Sequence, residues 1–391
     1  MANAGRNGKN RFHLDKWQKL NWLRLIRSQN VGPVTFRQLI LHYGTAEKAI
    51  EALPELAARG GAAARIRICP INDAEAEMVR CEKHGIRLVA MGEPEYPTLL
   101  RKTDYSPPIL CVKGNPEVLA KRTVAMVGSR NASASGAKLA HRFASQLGEA
   151  GYVTVSGLAR GIDTAVHKAS LQSGTIAVFA GGLDHVFPEE NRDLAEQIID
   201  TDGALVSEMP VGWKPRSKDF PRRNRIVTGL AAGVVVIEAA RRSGSLISAR
   251  LANETGRVVL AVPGSPLDPR SEGTNSLIKQ GATLVTCVED ILEAIGPIDD
   301  RAPGFDFEMD ETANHVNETI VHERDLNKPA ITDDSIRQSV IAALGPSPTG
   351  IDDILHFTGA GTGDVQLVLM ELSLAGRLER HSGNRVSLIT G

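Results

Sequence analysis

Aromatic residues make up only 4% of this sequence, and just four cysteines occur in its 391 residues. Cys69, Cys81, Cys111 and Cys287 are scattered, with no Cys-x-x-Cys pair and no histidine at metal-ligand spacing. That argues against a zinc centre or a redox motif and leaves reduced, partly buried thiols, as in a cytosolic protein. The first eleven residues are polar and lack the apolar stretch of a secretory signal. No apolar run approaches the roughly 20 residues that cross a membrane. Together these absences predict a soluble cytoplasmic protein without a metal. An excess of one charge is missing as well, since 45 Lys and Arg offset 46 Asp and Glu. Attraction to a polyanion must therefore come from local clustering of basic residues.

Residues 13–83 carry apolar stripes at helical spacing. Trp17, Leu20, Leu23, Leu25 and Ile26 form the first stripe, which Asn30-Val31-Gly32-Pro33 breaks before a second helix through Phe36, Leu39 and Ile40. Helix, Val-Gly-Pro turn, helix resembles a helix-hairpin-helix or SAM-like unit. Its turn amides either hold a DNA phosphate or belong to a domain that only packs. Residues 84–296 change character to short β-branched runs alternating with amphipathic helices. Strands are predicted at Thr123–Val127, Val153–Val155, Thr175–Phe179, Ala204–Ser207, Val234–Glu238 and Val258–Val262. Nearly continuous apolar runs of this length suit a parallel sheet covered on both faces. The fold class predicted is α/β, an extended Rossmann-like doubly wound, mostly parallel sheet. An acidic, Pro-punctuated stretch at 297–334 predicts a flexible linker. Residues 335–391 read as three helices and a hairpin, a winged helix. Its third helix, from Gly363 to Ala375, has no Lys or Arg before Arg377, so a basic face for reading a major groove is missing.

The chemistry gathers at the strand-to-helix turns. Gly128-Ser129-Arg130 follows the first of these strands, and such a turn offers backbone amides to an anion, with a guanidinium fork beside them. Ser156-Gly157 repeats the arrangement, with Arg160 and Gly161 in the loop, and Ser243-Gly244-Ser245 opens a third helix. Three such turns along one sheet edge suit a sugar–phosphate backbone better than a single small anion. The strongest electrostatic feature runs from Lys214 to Arg225, with six basic residues (Lys214, Arg216, Lys218, Arg222, Arg223, Arg225) against one acid, Asp219. Phe220 interrupts the run and is placed to stack on an unpaired base, while Asn224 adds a polar contact.

Catalysis is not indicated. Asp163 and His167 are one helical turn apart and near Ser156, but Ser156 lies outside a Gly-x-Ser-x-Gly elbow. The expectation is that Asp163 caps its helix, His167 sits on the helix flank, and Glu189 and Glu190 are surface or turn residues. No Gly-x-Gly-x-x-Gly turn with an acidic ribose partner is present, so no dinucleotide cofactor, and no cofactor of any kind, is expected. The alternative is a nucleotide-processing enzyme related to the lysine-decarboxylase-like phosphoribohydrolases, whose Pro-Gly-Gly-x-Gly-Thr-x-x-Glu signature is absent at 238–245.

In order along the chain, these motifs resemble the DNA-processing protein A (DprA/Smf) family. They begin with Tyr96-Pro97-Thr98-Leu99-Leu100, Pro107-Pro108 and Val127-Gly128-Ser129-Arg130. The stretch from Ser156 to Asp163, Gly182-Leu183-Asp184, Phe187-Pro188 and Asn191 follow. Then come the run from Phe220 to Ile226, Ser243-Gly244-Ser245, Val262-Pro263-Gly264, Gly273, Asn275, Leu277-Ile278 and Gly281-Ala282. The resemblance implies a domain that binds single-stranded DNA without hydrolysing it, dimerises, and helps load RecA recombinase during natural transformation. It also implies that Arg130, Arg160, Arg222, Arg223 and Arg225 meet phosphates, that the amides of Gly128, Ser129, Gly157 and Gly161 meet the backbone, and that Phe220 meets a base.

Overall fold

A computed structural model describes residues 13–296, 334–381 and 383–389. The chain divides into two compact units, residues 1–16 with 75–306 and residues 17–74 with 307–391. Residues 17–74 of the expected N-terminal domain thus fall in the same compact unit as the region expected to be a winged helix. Apart from its last residue, Asp334, the expected linker lies outside the described residues.

In the N-terminal region α1 (Lys16–Arg27), α2 (Pro33–Tyr43) and α3 (Ala46–Arg59) precede α4 (Ile71–Lys83). Pro33 opens α2, where its fixed φ and missing N–H cost nothing, and the Thr45 hydroxyl caps α3 by accepting from the Lys48 amide. Leu20, Leu23 and Leu25 of the first stripe and Phe36, Leu39 and Ile40 of the second are buried, and Trp22 lies edge-on to Phe36 with ring centroids 5.0 Å apart, whereas Trp17 is exposed.

The unit that contains residues 75–296 is built on a sheet of nine strands among the described residues. Its elements are β1 (Arg87–Ala90), α5 (Thr98–Arg101), β2 (Ile109–Gly114), β3 (Thr123–Val127), α6 (Ala134–Glu149), β4 (Val153–Ser156), α7 (Ile162–Ala169), β5 (Thr175–Val178), α8 (Arg192–Asp200), β6 (Ala204–Ser207), α9 (Asp219–Leu230), β7 (Gly233–Val236), α10 (Ser245–Glu254), β8 (Val258–Ala261), α11 (Glu272–Lys279), β9 (Thr283–Leu284) and α12 (Val288–Ile295). The strand order is β1-β2-β6-β5-β4-β3-β7-β8-β9. All pairs from β6 to β9 are parallel, and β1–β2 and β2–β6 are antiparallel. The six predicted strands are β3 to β8, and β1, β2 and β9 are additions beyond them on either side.

The chain winds outward from β3 to β6, then returns to lay β7 on the other side of β3, with Ala125 opposite Val234 and Val127 opposite Val236. At this reversal the flanking helices leave in opposite directions. A crevice opens beyond the carboxyl ends of β3 and β7. Beneath it Met126, Val235 and Leu260 pack against Phe143 and Leu147 of α6 and Ile291 of α12, all essentially without exposure. Close packing of this kind fixes the crevice walls, because shifting one strand end would open voids in the core.

The C-terminal region contains α13 (Asp334–Ala343), β10 (Thr349–Gly350), α14 (Ile351–Thr358), α15 (Thr362–Leu374), β11 (Leu378–His381) and β12 (Arg385–Leu388). A small sheet of order β10-β12-β11 closes this winged helix over Val340, Ile354, Val368, Leu372 and Val386.

Candidate nucleic-acid interface

A pocket of about 750 Å³ occupies the crevice. Gly128, Ser129, Arg130 and Asn131 line it after β3, Gly157 and Ala159 after β4, and Arg242, Ser243, Gly244 and Ser245 after β7. Ser217, Phe220, Pro221, Arg223 and Asn224, at the start of α9, complete the wall with Phe187. All three turns singled out in the sequence thus reach one cavity. So does the middle of the basic run. Ser156, Arg160, Gly161, Lys214, Lys218, Arg222 and Arg225 do not line it.

The turn amides are less available than the sequence suggests. At the start of α6 the Ser133 hydroxyl accepts from the Gly136 amide, and the Glu238 carboxylate accepts from the Ser133 amide at 3.0 Å. This helix terminus is filled by the protein's own oxygens. Asp163 does not cap α7 either. Its Oδ2 turns back to accept from the Gly157 and Ala159 amides, at 3.1 and 3.3 Å, which ties the second turn closed. Ser156 is fully buried and donates to the Met126 carbonyl at 2.7 Å, which pins β4 to β3. Gly161, at φ +74°, lies so close to the first turn that any Cβ would collide with the Ser129 carbonyl. Ser156 and Gly161 therefore shape the rim from behind it.

Arg223 forms the floor. It is buried, its Nη1 donates to the Val178 carbonyl at 3.1 Å, and its guanidinium fills the place a Cβ on Gly157 would take. Its Nε has no partner among the described residues. Burial lowers its pKa to about 10, with Asp163 pulling the other way and Arg130 adding to the lowering. Burial likewise raises the Asp163 carboxyl, against the Arg223 charge and the two amides. His167 is not on a helix flank but fully buried. Its Nδ1 lies 2.8 Å from the Thr175 hydroxyl, and burial, helped by Arg223, lowers its pKa to about 3.

The other arginines fall into two groups. Arg222 and Arg225 both pair with Glu208, and Arg225 also donates to the Tyr105 carbonyl. Arg160 forms a two-pronged pair with Glu190 at 2.6 and 2.7 Å, and Arg216 pairs with Asp219 while lying over Trp213. Arg130 and Arg242 are different. Both are exposed on the pocket wall, and neither has a carboxylate within salt-bridge distance among the described residues.

Arg130 lies over Phe220, 5.6 Å from the ring centroid, and Phe220 in turn packs on Phe187 at 5.4 Å. Phe187 is 54% exposed, an unusual position for a large apolar ring. Phe187 and Arg242 were not among the expected contacts. The signals for them were present in Phe187-Pro188 and in Arg241-Arg242 directly before Ser243-Gly244.

Residues 87–296 match the family model for DNA recombination-mediator protein A. The chain belongs to the DprA/Smf family. Residues 16–79 match the DprA-like N-terminal HHH domain, and residues 324–384 the DprA winged helix domain. Among DprA/Smf relatives, protein Smf of Escherichia coli is 36% identical over 373 residues, which cover 94% of this chain and 95% of that protein. DNA processing protein DprA of Streptococcus pneumoniae is 47% identical over 199 residues, or 50% of this chain and 70% of that one. An X-ray structure of DprA from the same organism aligns with a TM-score of 0.58 at 36% identity, covering 70% of this chain and 95% of its own. These likenesses agree with the DprA architecture of a mostly parallel sheet domain, an N-terminal HHH domain and a winged helix.

Proposed function

We propose that the crevice binds single-stranded DNA without cleaving it, with Arg130 and Arg242 holding phosphates and Phe220 with Phe187 receiving a base. The observation that carries this reading is the pair of exposed guanidiniums, without carboxylate partners among the described residues, on the turns after the neighbouring strands β3 and β7, in one pocket that Phe187 and Phe220 also line. Phosphate neutralisation supplies sequence-independent affinity, and a base stacked on an aromatic ring adds about 1–3 kcal/mol. A duplex keeps its bases inside the helix, so this aromatic pair favours an unpaired strand. Lys214 and Lys218, both exposed, add diffuse attraction at the start of α9. The candidate nucleophile Ser156 and the candidate base His167 are both buried and separately bonded, which supports binding without turnover.

Membership of a family described as recombination mediators supports the wider reading. In it the protein works in the cytoplasm as a homodimer built through the sheet domain, loading RecA recombinase onto single strands during natural transformation. The test is a salt titration of affinity for oligo-dT and for a hairpin duplex of equal charge. Tighter binding of the single strand, with log K falling linearly in log salt, is expected. Equal affinity for the two, or turnover of a bound mononucleotide, would contradict it.

A further inference from the structure

The third helix of a winged helix is the element that ordinarily enters a DNA groove. Here every residue of α15 from Val365 to Leu372 except Gln366 is buried. Val365, Val368, Leu369 and Leu372 enter the winged-helix core, while Leu367, Met370, Glu371 and Leu374 are just as buried but lie outside that cluster. The second stripe, at i, i+3, i+4 and i+7, is covered by α2 and α3 of the same compact unit.

Polar contacts fasten the seam at both ends of α15. Gln38 of α2 donates to the Gln366 side chain and accepts from Arg380 at 3.1 Å. Arg377 donates to the Gly60 carbonyl at 3.1 Å. Asn30, in the Val-Gly-Pro turn, donates its amide to the Leu374 carbonyl at 2.9 Å. Gly60 has an ordinary helical φ of −70°, so the backbone does not demand glycine there. A Cβ at this position would nevertheless overlap the Glu371 carbonyl and touch the Ala375 methyl. The requirement for glycine comes from the approach of α15. Arg337 of α13 is paired with buried Glu371 at 3.1 Å.

We propose that α15 is a protein-docking helix whose partner is the chain's own N-terminal helical region, so that the winged helix acts as a clasp joining the two ends of the chain and not as a reader of duplex DNA. Arg337, Arg377 and Arg380 all donate to protein acceptors, and α15 contributes no cation of its own. The hairpin turn is engaged by the same seam through Asn30.

The test uses the full-length protein with Gly60→Leu, which wedges the seam, and Asn30→Gly, which keeps the left-handed turn but removes the amide bonded to Leu374. Hydrogen exchange and duplex-DNA affinity are read for both. Amides of α2, α3 and α15 should lose protection together, by about tenfold or more in Gly60→Leu and less in Asn30→Gly, while those of the sheet core stay unchanged. Duplex affinity should stay within about twofold of the parent. A rise in duplex affinity of about tenfold or more would show that the seam masks a DNA-reading helix. Unchanged protection in both variants would show that the ends are not clasped. Should Gly60→Leu unfold the whole terminal unit, Asn30→Gly alone decides between these outcomes.

Discussion

Arg223 is the side chain on which the crevice floor depends. Its guanidinium lies in the space left by a missing Cβ at Gly157, with Asp163 as the charge that offsets its burial. Gly157→Ala therefore drives a methyl into a buried cation. Overpacking of this kind costs about 1–3 kcal/mol, measured as a lower denaturant midpoint at constant m-value. Phe220→Ala should lose about 1–3 kcal/mol of single-strand affinity with the salt slope unchanged, because stacking releases few counterions. His167 gives a pH prediction whose sign follows from its lowered pKa. The unfolded chain takes up a proton near the ordinary value of 6.5, whereas the folded protein resists protonation down to about 3. Its contribution to stability is thus complete above pH 6.5 and declines as the pH falls through that window. The slope approaches about 1.4 kcal/mol per pH unit. Between pH 6 and pH 4, His167→Gln should lose stability less steeply than the parent, as read by urea unfolding. Parallel curves would refute the assignment.

At the level of elements, the parallel strands were legible because each is an uninterrupted apolar run buried on both faces. β1 and β9 were not, because edge strands need less apolar sequence, and β9 has just two residues, both exposed; β2 is an interior strand whose apolar run, Ile109 to Val112, is absent from the predicted strands. The three Ser/Gly turns were legible as a set, but the bonding of the Gly157 and Ala159 amides to Asp163 was not. Nor was the start of α6, where Glu238 reaches the Ser133 amide from 105 residues away and no local pattern announces it. The basic run was read as one patch, whereas α9 begins inside it and sends its arginines in different directions. Arg223 goes inward to the pocket floor, Arg222 and Arg225 go to Glu208, and Ser217, Phe220, Pro221 and Asn224 reach the pocket wall. Removing a paired arginine should accordingly matter less than removing an unpaired one. Arg222→Ala should weaken oligo-dT binding by less than about threefold, while Arg242→Ala weakens it about tenfold or more at low salt, both measured by fluorescence anisotropy. Comparable losses in the two would mean that Glu208 releases its partners to DNA.

Across the whole molecule, a net charge of −1 is compatible with the proposed polyanion site because Arg130 and Arg242 keep no carboxylate partner among the described residues while neighbouring arginines are paired, not because the protein is basic. Helices at both ends and a doubly wound sheet between them followed from periodicity. The joining of the two ends did not, since Gln38 and Gln366 meet across 328 residues of sequence. The motifs that signalled the family cluster at the turns around the crevice, where backbone geometry restricts residue choice most tightly. The central claim is that this crevice neutralises phosphates through Arg130 and Arg242. It is tested most directly by the salt dependence of oligo-dT affinity in the Arg130→Ala/Arg242→Ala double variant. Each phosphate contact on a single strand contributes about 0.7 to the slope of log K against log salt, so the double variant should be shallower than the parent by about 1.4. An unchanged slope would contradict the account.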